Sequence, residues 1–582
     1  MMRLRTLLLA AAIALPAAPT LAEDLGAGRP APAELSPDQR TLYREVFAAI
    51  DASDWLGASA KLAAAPEGPL HSIAYAELYL AKGSPKVELE PLLSLLAKAP
   101  EMPKADQIAR LAAARGGTEL PALPQTQSLI WQGGQPRRER AKATNGDLAA
   151  AELEKLVQPL IVADQPREAE ALLVQQEAML TPEARTEFQQ RIGWSYYLLG
   201  MDADARRLSE LARFGSGDWS VHGTWVSGLA SWRMKDCRAA ADAFGNVAGR
   251  SSDVELVAAA HYWASRAEMV CARPQQVQGR LRSAARHGET FYGLLAASAL
   301  GIRTVNHTGL HDYKDREWVG IARKPNVRAA IALAEIDRDA LADQLIRHQA
   351  RIGGPGEHSA LLHLAADLNL ASTQYYLAHH APRGATVNVA ARYPRPDWRP
   401  ARGWRVDQAL TLAHVLKESD FRTRVVSPAG AVGLMQVRPG TAGDMAKKHG
   451  QPFHPSQLTD PASNLEFGQS YLEHLRDMGA TGGLLPKVIA AFNAGPAPVI
   501  AWNARAFDRG DPLLYIESIP YWETRGYVPI VLRNYWVYEQ ASGKASVSRH
   551  ALAQGLWPRF PGLPGANAVR IQPNGTTGQG TD

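Results

Sequence analysis

A stretch beginning Gly193-Trp-Ser-Tyr-Tyr-Leu-Leu-Gly-Met-Asp-Ala-Asp-Ala205 returns 35 residues later as Gly228-Leu-Ala-Ser-Trp-Arg-Met-Lys-Asp-Cys-Arg-Ala-Ala240. Weaker copies flank the pair: Leu160-Ile-Val-Ala-Asp-Gln-Pro-Arg-Glu-Ala169 upstream and Tyr262-Trp-Ala-Ser-Arg-Ala-Glu-Met-Val-Cys271 downstream. A period of 34–36 residues, with large residues in one half and alanine in the other, is what stacked helix pairs produce, because one pair cannot bury its own apolar face. The recurrence predicts an α-solenoid from Ser36 to about Ser298, opening on Ser36-Pro37-Asp38, an N-cap residue followed by proline at the first helical position. An irregular α-domain without true repeats is the competing reading. Cys237 and Cys271 fall in matching turns of neighbouring units, compatible with a disulfide or with two buried thiols.

Of the 582 residues, 63 are Lys or Arg and 58 are Asp or Glu, a net charge of +5 too small to argue for nucleic acid as a partner. The chain starts with a basic Met-Met-Arg-Leu-Arg, an apolar run from Thr6 to Leu15, Pro16, and a small-residue end at Thr20-Leu21-Ala22. That order is a secretory leader cut after Ala22, and its apolar run is about half of what spans a bilayer. The expectation is an exported, periplasmic chain with no transmembrane segment once the leader is removed. Two cysteines cannot build a thiolate cage, and His454 and His474 lie in no ligand-like spacing, so no metal and no cofactor is expected.

Composition breaks divide the rest. Gly116 to Lys142 reads as a loop within the array, and Arg383 to Gly403, with Pro394, Pro396 and Pro400, separates the array from the C-terminal part of the chain. Past Gln540 the helical pattern fades, and from Pro561 the Gly- and Pro-rich tail is expected to be disordered.

The chemistry concentrates between Trp404 and Tyr538. Val406, Ala409, Leu410, Ala413 and Leu416 form one stripe of a helix that runs toward Lys417, placing Glu418 at its C-terminal end. The helix dipole and any burial both disfavour a carboxylate there, so the pKa of Glu418 should rise, as a general acid requires. Asp420 is a candidate second carboxylate, but it would point to another face if the helix continued. Next come Ser427-Pro-Ala-Gly-Ala-Val-Gly-Leu-Met-Gln436 and Pro439-Gly440-Thr441-Ala442, glycine turns that bring backbone close to a ligand with Gln436 as donor and acceptor. Asn464-Leu-Glu-Phe-Gly468, Ala491-Phe-Asn-Ala-Gly-Pro496 and Glu517-Ser-Ile-Pro-Tyr-Trp-Glu-Thr-Arg-Gly-Tyr-Val528 complete the series, in a block whose Trp and Tyr rings suit sugars.

Taken in order, these motifs resemble the catalytic domain of the soluble lytic transglycosylases, lysozyme-like enzymes that cleave peptidoglycan. The resemblance is strong from Trp404 to about Tyr538, and weaker at Thr290–Ala297 and Leu361–Ala381, which are similar to the family's U-shaped and linker domains. It implies an all-α chain: a leader over 1–22, an α-superhelical domain over 23–310, a helical linker domain over 311–390, a lysozyme-like domain over 391–545, and a tail over 546–582 whose end is disordered. It also implies that Glu418 is the single catalytic acid and base. Ser427, Gly433, Met435 and Gln436 would line the cleft, with Phe492, Asn493, Glu523 and Tyr527 as further substrate contacts. Phe492 stands where the family usually has Tyr and Arg438 where Met is common, so with Phe at position 492 no neighbouring phenol is expected to hold the Glu418 proton by hydrogen bonding. The implied reaction on glycan strands needs no second carboxylate: Glu418 protonates the glycosidic oxygen, the substrate's acetamido group supports C1, and the C6 hydroxyl then attacks C1. The alternatives are a hydrolytic muramidase and a non-catalytic glycan-binding scaffold.

Overall fold

A computed structural model describes residues 31–302, 315–505, 508–572 and 577–578. The expected leader and the 310/311 boundary lie outside these residues. Among them the chain is all-α, with a few strands of two to four residues.

The repeat is present. Long helices at Pro182–Leu198, Asp218–Arg233 and Val254–Val270 alternate with shorter ones at Asp202–Arg213, Cys237–Arg250 and Pro274–Ala285. The turn inside each unit crosses the left-handed region at a matching place: Asp164 (φ 59°), Gly200 (φ 75°), Lys235 (φ 63°) and Ala272 (φ 54°). Three of these four are not glycine and each carries a backbone cost of about 1 kcal/mol, so the stacking on either side must over-determine the turn. The aligned alanines Ala169, Ala205 and Ala240 are fully buried between neighbouring helices. Cys237 and Cys271 form a disulfide with their Cα atoms 5.6 Å apart, joining the matching turns of two units. At the start of the array Ser36 caps Pro37–Asp51 in a capping box with Gln39.

The packing departs from the linear order. One core unites the N-terminal helices, from Pro37–Asp51 to Ala105–Ala114, with the helices between Asp315 and His379. Arg40 pairs with Glu335 at 2.7 Å and Asn326 Nδ2 donates to the Glu101 carbonyl at 2.8 Å. Ile130–Trp131 pairs antiparallel with His380–Ala381, tying the intervening loop to the same body. A second core runs without a break from the helices after Leu148 into the block around Glu418. The Pro-rich segment therefore does not set that block apart as a separate body. Phe291 stacks on Trp536 with ring centroids 5.1 Å apart, and the Phe291–Ala299 helix, buried from Phe291 to Ala297, is the wedge between them. Local periodicity carries no information about such long-range pairing, so periodicity and composition alone divide the chain linearly.

The tail is also corrected. Val547–Ala553 is helical, Trp557–Pro558 pairs with Ala568–Ile571, and Trp557 and Phe560 are buried. Two aromatic anchors outweigh the surrounding Gly and Pro, so the chain is ordered past Pro561 as far as Ile571.

Candidate active site

Asp407 caps the helix Gln408–Ser419 by accepting from the backbone N–H groups of Ala409 (2.8 Å) and Leu410 (3.3 Å). The helix ends as Asp420 turns left-handed at φ 51°, leaving Glu418 in its last turn as the stripe predicts. Asp420 turns away toward the linker segment, where it hydrogen-bonds Tyr375.

Burial raises the Glu418 carboxyl to about 7; the Tyr527 hydrogen bond and the Lys417 charge pull it down, and the Glu523 charge pushes it up. The direction agrees with the sequence argument, and the main cause is desolvation. A phenol does reach the acid: Tyr527 Oη donates to Glu418 Oε1 at 2.6 Å, which corrects the expectation drawn from Phe492. The hydroxyl comes from the helix Trp522–Ala541, 109 residues further along the chain. Tyr527 in turn meets Nδ1 of His414 at 2.8 Å. Because Tyr527 gives its own proton to Glu418, His414 is the donor in that contact, which assigns its Nδ1–H tautomer. His414 is fully buried, and burial lowers its pKa to about 3, so the ring is neutral at working pH. It sits four residues before Glu418 on the same helix face, a signal present in the sequence but masked by the apolar stripe. Phe492 packs on the His414 ring with centroids 4.5 Å apart, so the position lacking a hydroxyl serves as the wall of this relay.

Asn493 Oδ1 accepts from Thr524 Oγ1 at 2.6 Å and Asn493 Nδ2 donates to Glu523 Oε1 at 3.3 Å, clamping the Asn-Ala-Gly turn to the helix that carries Tyr527. Glu418, Phe492, Asn493, Glu523 and Tyr527 thus come together as one cluster.

The glycine loop is different. Ser427 Oγ accepts from Ala431 N at 3.0 Å, and Gln436 Nε2 donates to the carbonyls of Gly433 (2.9 Å) and Val425 (3.2 Å). Both side chains brace the loop's own backbone, leaving Gln436 only its amide oxygen for a ligand. Met435, expected to line the cleft, is fully buried with its sulfur against Gly468, and its backbone N–H donates to Asn464 Oδ1 at 2.8 Å. It fills the space under the loop because a thioether adapts to the gap that Gly468 leaves. Gly433 sits at φ 75°, and an added Cβ would overlap the Leu458 carbonyl oxygen and the Asn464 carboxamide. Gly433→Ala should therefore cost at least about 2 kcal/mol and displace the loop, read as a lower melting midpoint together with lost activity.

Tyr527→Phe tests the relay. Removing a hydrogen bond that favours the carboxylate should raise the Glu418 pKa, moving the alkaline limb of the pH–rate profile up by about one unit. A limb that stays in place or moves down would show that the phenol does not act on the acid.

Comparison with known proteins decides the family of this block. Residues 399–514 match the family described as the transglycosylase SLT domain. The block around Glu418 is an SLT domain. Over 136 residues the chain is 39% identical to the soluble lytic murein transglycosylases of Salmonella typhimurium and Escherichia coli K12. That stretch is 23% of this chain and 21% of each relative, so the match to these relatives spans about a fifth of their length. The fold likeness reaches further. The crystal structure of the 70 kDa soluble lytic transglycosylase from Escherichia coli aligns with a TM-score of 0.55 at 17% identity, covering 90% of this chain and 99% of that one. Its complex with bulgecin A aligns with a TM-score of 0.56 at 18% identity, covering 90% and 89%. At such identities the likeness shows a shared all-α fold over most of the chain.

Proposed function

We propose that the chain is a lytic transglycosylase that cleaves the β-1,4 bond between N-acetylmuramic acid and N-acetylglucosamine in peptidoglycan glycan strands and leaves 1,6-anhydro ends. The observation that carries this is Glu418, held in an SLT domain with a pKa raised to about 7 and a phenol on one of its oxygens. A carboxyl poised there has a proton to give at neutral pH and, once ionised, is basic enough to take one back. In the first step Glu418 passes its proton to the glycosidic oxygen while the substrate's acetamido group supports C1. In the second, Glu418 takes the proton of the C6 hydroxyl as that oxygen attacks C1. Tyr527, backed by His414, holds the carboxylate formed between the two steps.

Hydrolysis is the second reading, because Glu523 is a carboxylate whose charge Glu418 feels. Against it, Glu523 is bound to Asn493 within the turn. Export through the leader ending at Ala22 and work in the periplasm follow from the substrate class; no helix among the described residues is long and apolar enough to cross a membrane. Mass spectrometry of muropeptides released from sacculi tests the proposal. Anhydro ends, one water lighter than reducing ends, are expected; reducing ends would support hydrolysis, and no release would leave a binding protein.

A further inference from the structure

The two oxygens of the half-buried Glu418 carboxyl lie in different surroundings. Oε1 accepts from the buried Tyr527 at 2.6 Å. Oε2 takes no hydrogen bond from the described residues and is not shut off from solvent. Lys417 and Glu523 act on the carboxyl through their charges alone. An acid proton on Oε1 points into the wall, and one on Oε2 points out of it. The oxygen that carries the proton therefore decides whether the acid faces a glycosidic bond.

The choice is made at the far end of the hydrogen-bond chain. Tyr527 Oη has one proton to give and lies 2.6 Å from Glu418 Oε1 and 2.8 Å from His414 Nδ1. While Glu418 is ionised, His414 Nδ1–H donates to Tyr527 and Tyr527 donates to Oε1. When Glu418 takes up a proton, a second arrangement competes, with every bond reversed: Oε1–H donates to Tyr527, Tyr527 donates to His414 Nδ1, and the imidazole proton moves to Nε2. His414 is fully buried, Phe492 covers its ring with centroids 4.5 Å apart, and Nε2 has no hydrogen-bond partner among the described residues. A proton on Nε2 would be a buried donor with nothing to receive it. The bare Nε2 is unpaired too, but orphaned N–H groups are rarer in folded chains than under-used acceptors. No partner at Nε2 passes a proton on, and burial alone lowers the ring's pKa to about 3, so the doubly protonated ring does not serve as an intermediate between the two tautomers.

We propose that His414 is a positioning residue that makes the Tyr527–Glu418 hydrogen bond one-way, so that the proton Glu418 delivers to the glycosidic oxygen is carried on Oε2. His414 does not touch the glycan; it acts through Tyr527. The assignment rests on the glycan-cleaving reading above and deepens it by naming the oxygen that gives the proton and later takes one from the C6 hydroxyl. Oε1 stays with Tyr527 throughout, so the carboxyl need not turn between the two steps.

Nitrogen NMR of the full chain labelled at histidine reads the tautomer directly, with the His414 signals assigned by their loss in His414→Asn. The Nδ1–H form should be present at pH 5 and at pH 9, on both sides of the Glu418 titration near 7. A switch to Nε2–H at pH 5 would show that the chain reverses and would overturn the proposal. Kinetics of the same variant supply a second reading. The Asn carboxamide accepts as well as donates, so it lets the chain reverse and holds the acid proton on Oε1. Turnover should fall about tenfold with KM unchanged, and the alkaline limb of the pH–rate profile should move up by about half to one unit. A loss of turnover without that shift of the limb would mark His414 as packing only and would also overturn the proposal. The tautomer is read without substrate, and release of anhydro ends is measured separately, so failure here stands apart from failure of the cleavage reading.

Discussion

Glu418→Gln should keep the fold and the affinity for glycan strands but lower turnover at least about a thousandfold, because Gln neither gives a proton to the leaving oxygen nor takes one from the C6 hydroxyl. The same variant carries a stability signature with a definite sign. Glu418 titrates near 7 in the folded chain against an ordinary value of 4.5, so the folded state binds its proton more tightly than the unfolded one. Its cost is absent below pH 4.5 and complete above about 7. Glu418→Gln should therefore raise the melting midpoint at pH 8, by the equivalent of about 1–3 kcal/mol, and leave it unchanged at pH 4. Full activity in the purified variant would remove Glu418 from the mechanism, and an equal effect on stability at both pH values would remove the desolvation argument.

Glu517→Ala should produce the largest loss of stability among single substitutions at the seam. Glu517 is 1% exposed; it accepts from both terminal nitrogens of Arg138 (2.6 and 3.1 Å) and from Tyr292 Oη at 2.7 Å, so one carboxylate joins the long loop, the superhelix and the SLT domain. Its removal leaves the Arg138 guanidinium buried and unpaired, which costs about 3–5 kcal/mol. Calorimetry should show a melting midpoint lowered by several degrees. Replacing both partners together, Arg138→Met with Glu517→Leu, should recover much of that loss. A Glu517→Ala midpoint within experimental scatter of wild type would show that the seam is held by its aromatic packing alone.

Residues whose role is set by neighbours in the chain are legible in the sequence. The 34–36-residue recurrence marks the left-handed turns and the buried alanines, and the apolar stripe from Val406 to Leu416 places Glu418 in a last helical turn. Features that depend on contact across the fold are not legible. Tyr527 lies 109 residues from Glu418, and nothing local indicates that its hydroxyl reaches the carboxyl while position 492 lacks one. His414 does not stand out, because a single polar residue inside an apolar stripe resembles ordinary core. Met435 and Gln436 read as ligand contacts because a glycine-rich loop says that backbone comes close to something, and the nearest partner is the loop itself. Glu517 is visible in its motif, but its partner Arg138 sits 379 residues away in a stretch that reads only as a loop.

Cleavage by one carboxyl group without water can be followed in sacculi digested in water enriched in heavy oxygen. Intramolecular attack by the C6 hydroxyl takes no atom from solvent, so the new muramic ends should carry anhydro rings with no heavy oxygen. Incorporation of one solvent oxygen at C1 of each new end would show that water attacks there and contradict cleavage by the C6 hydroxyl.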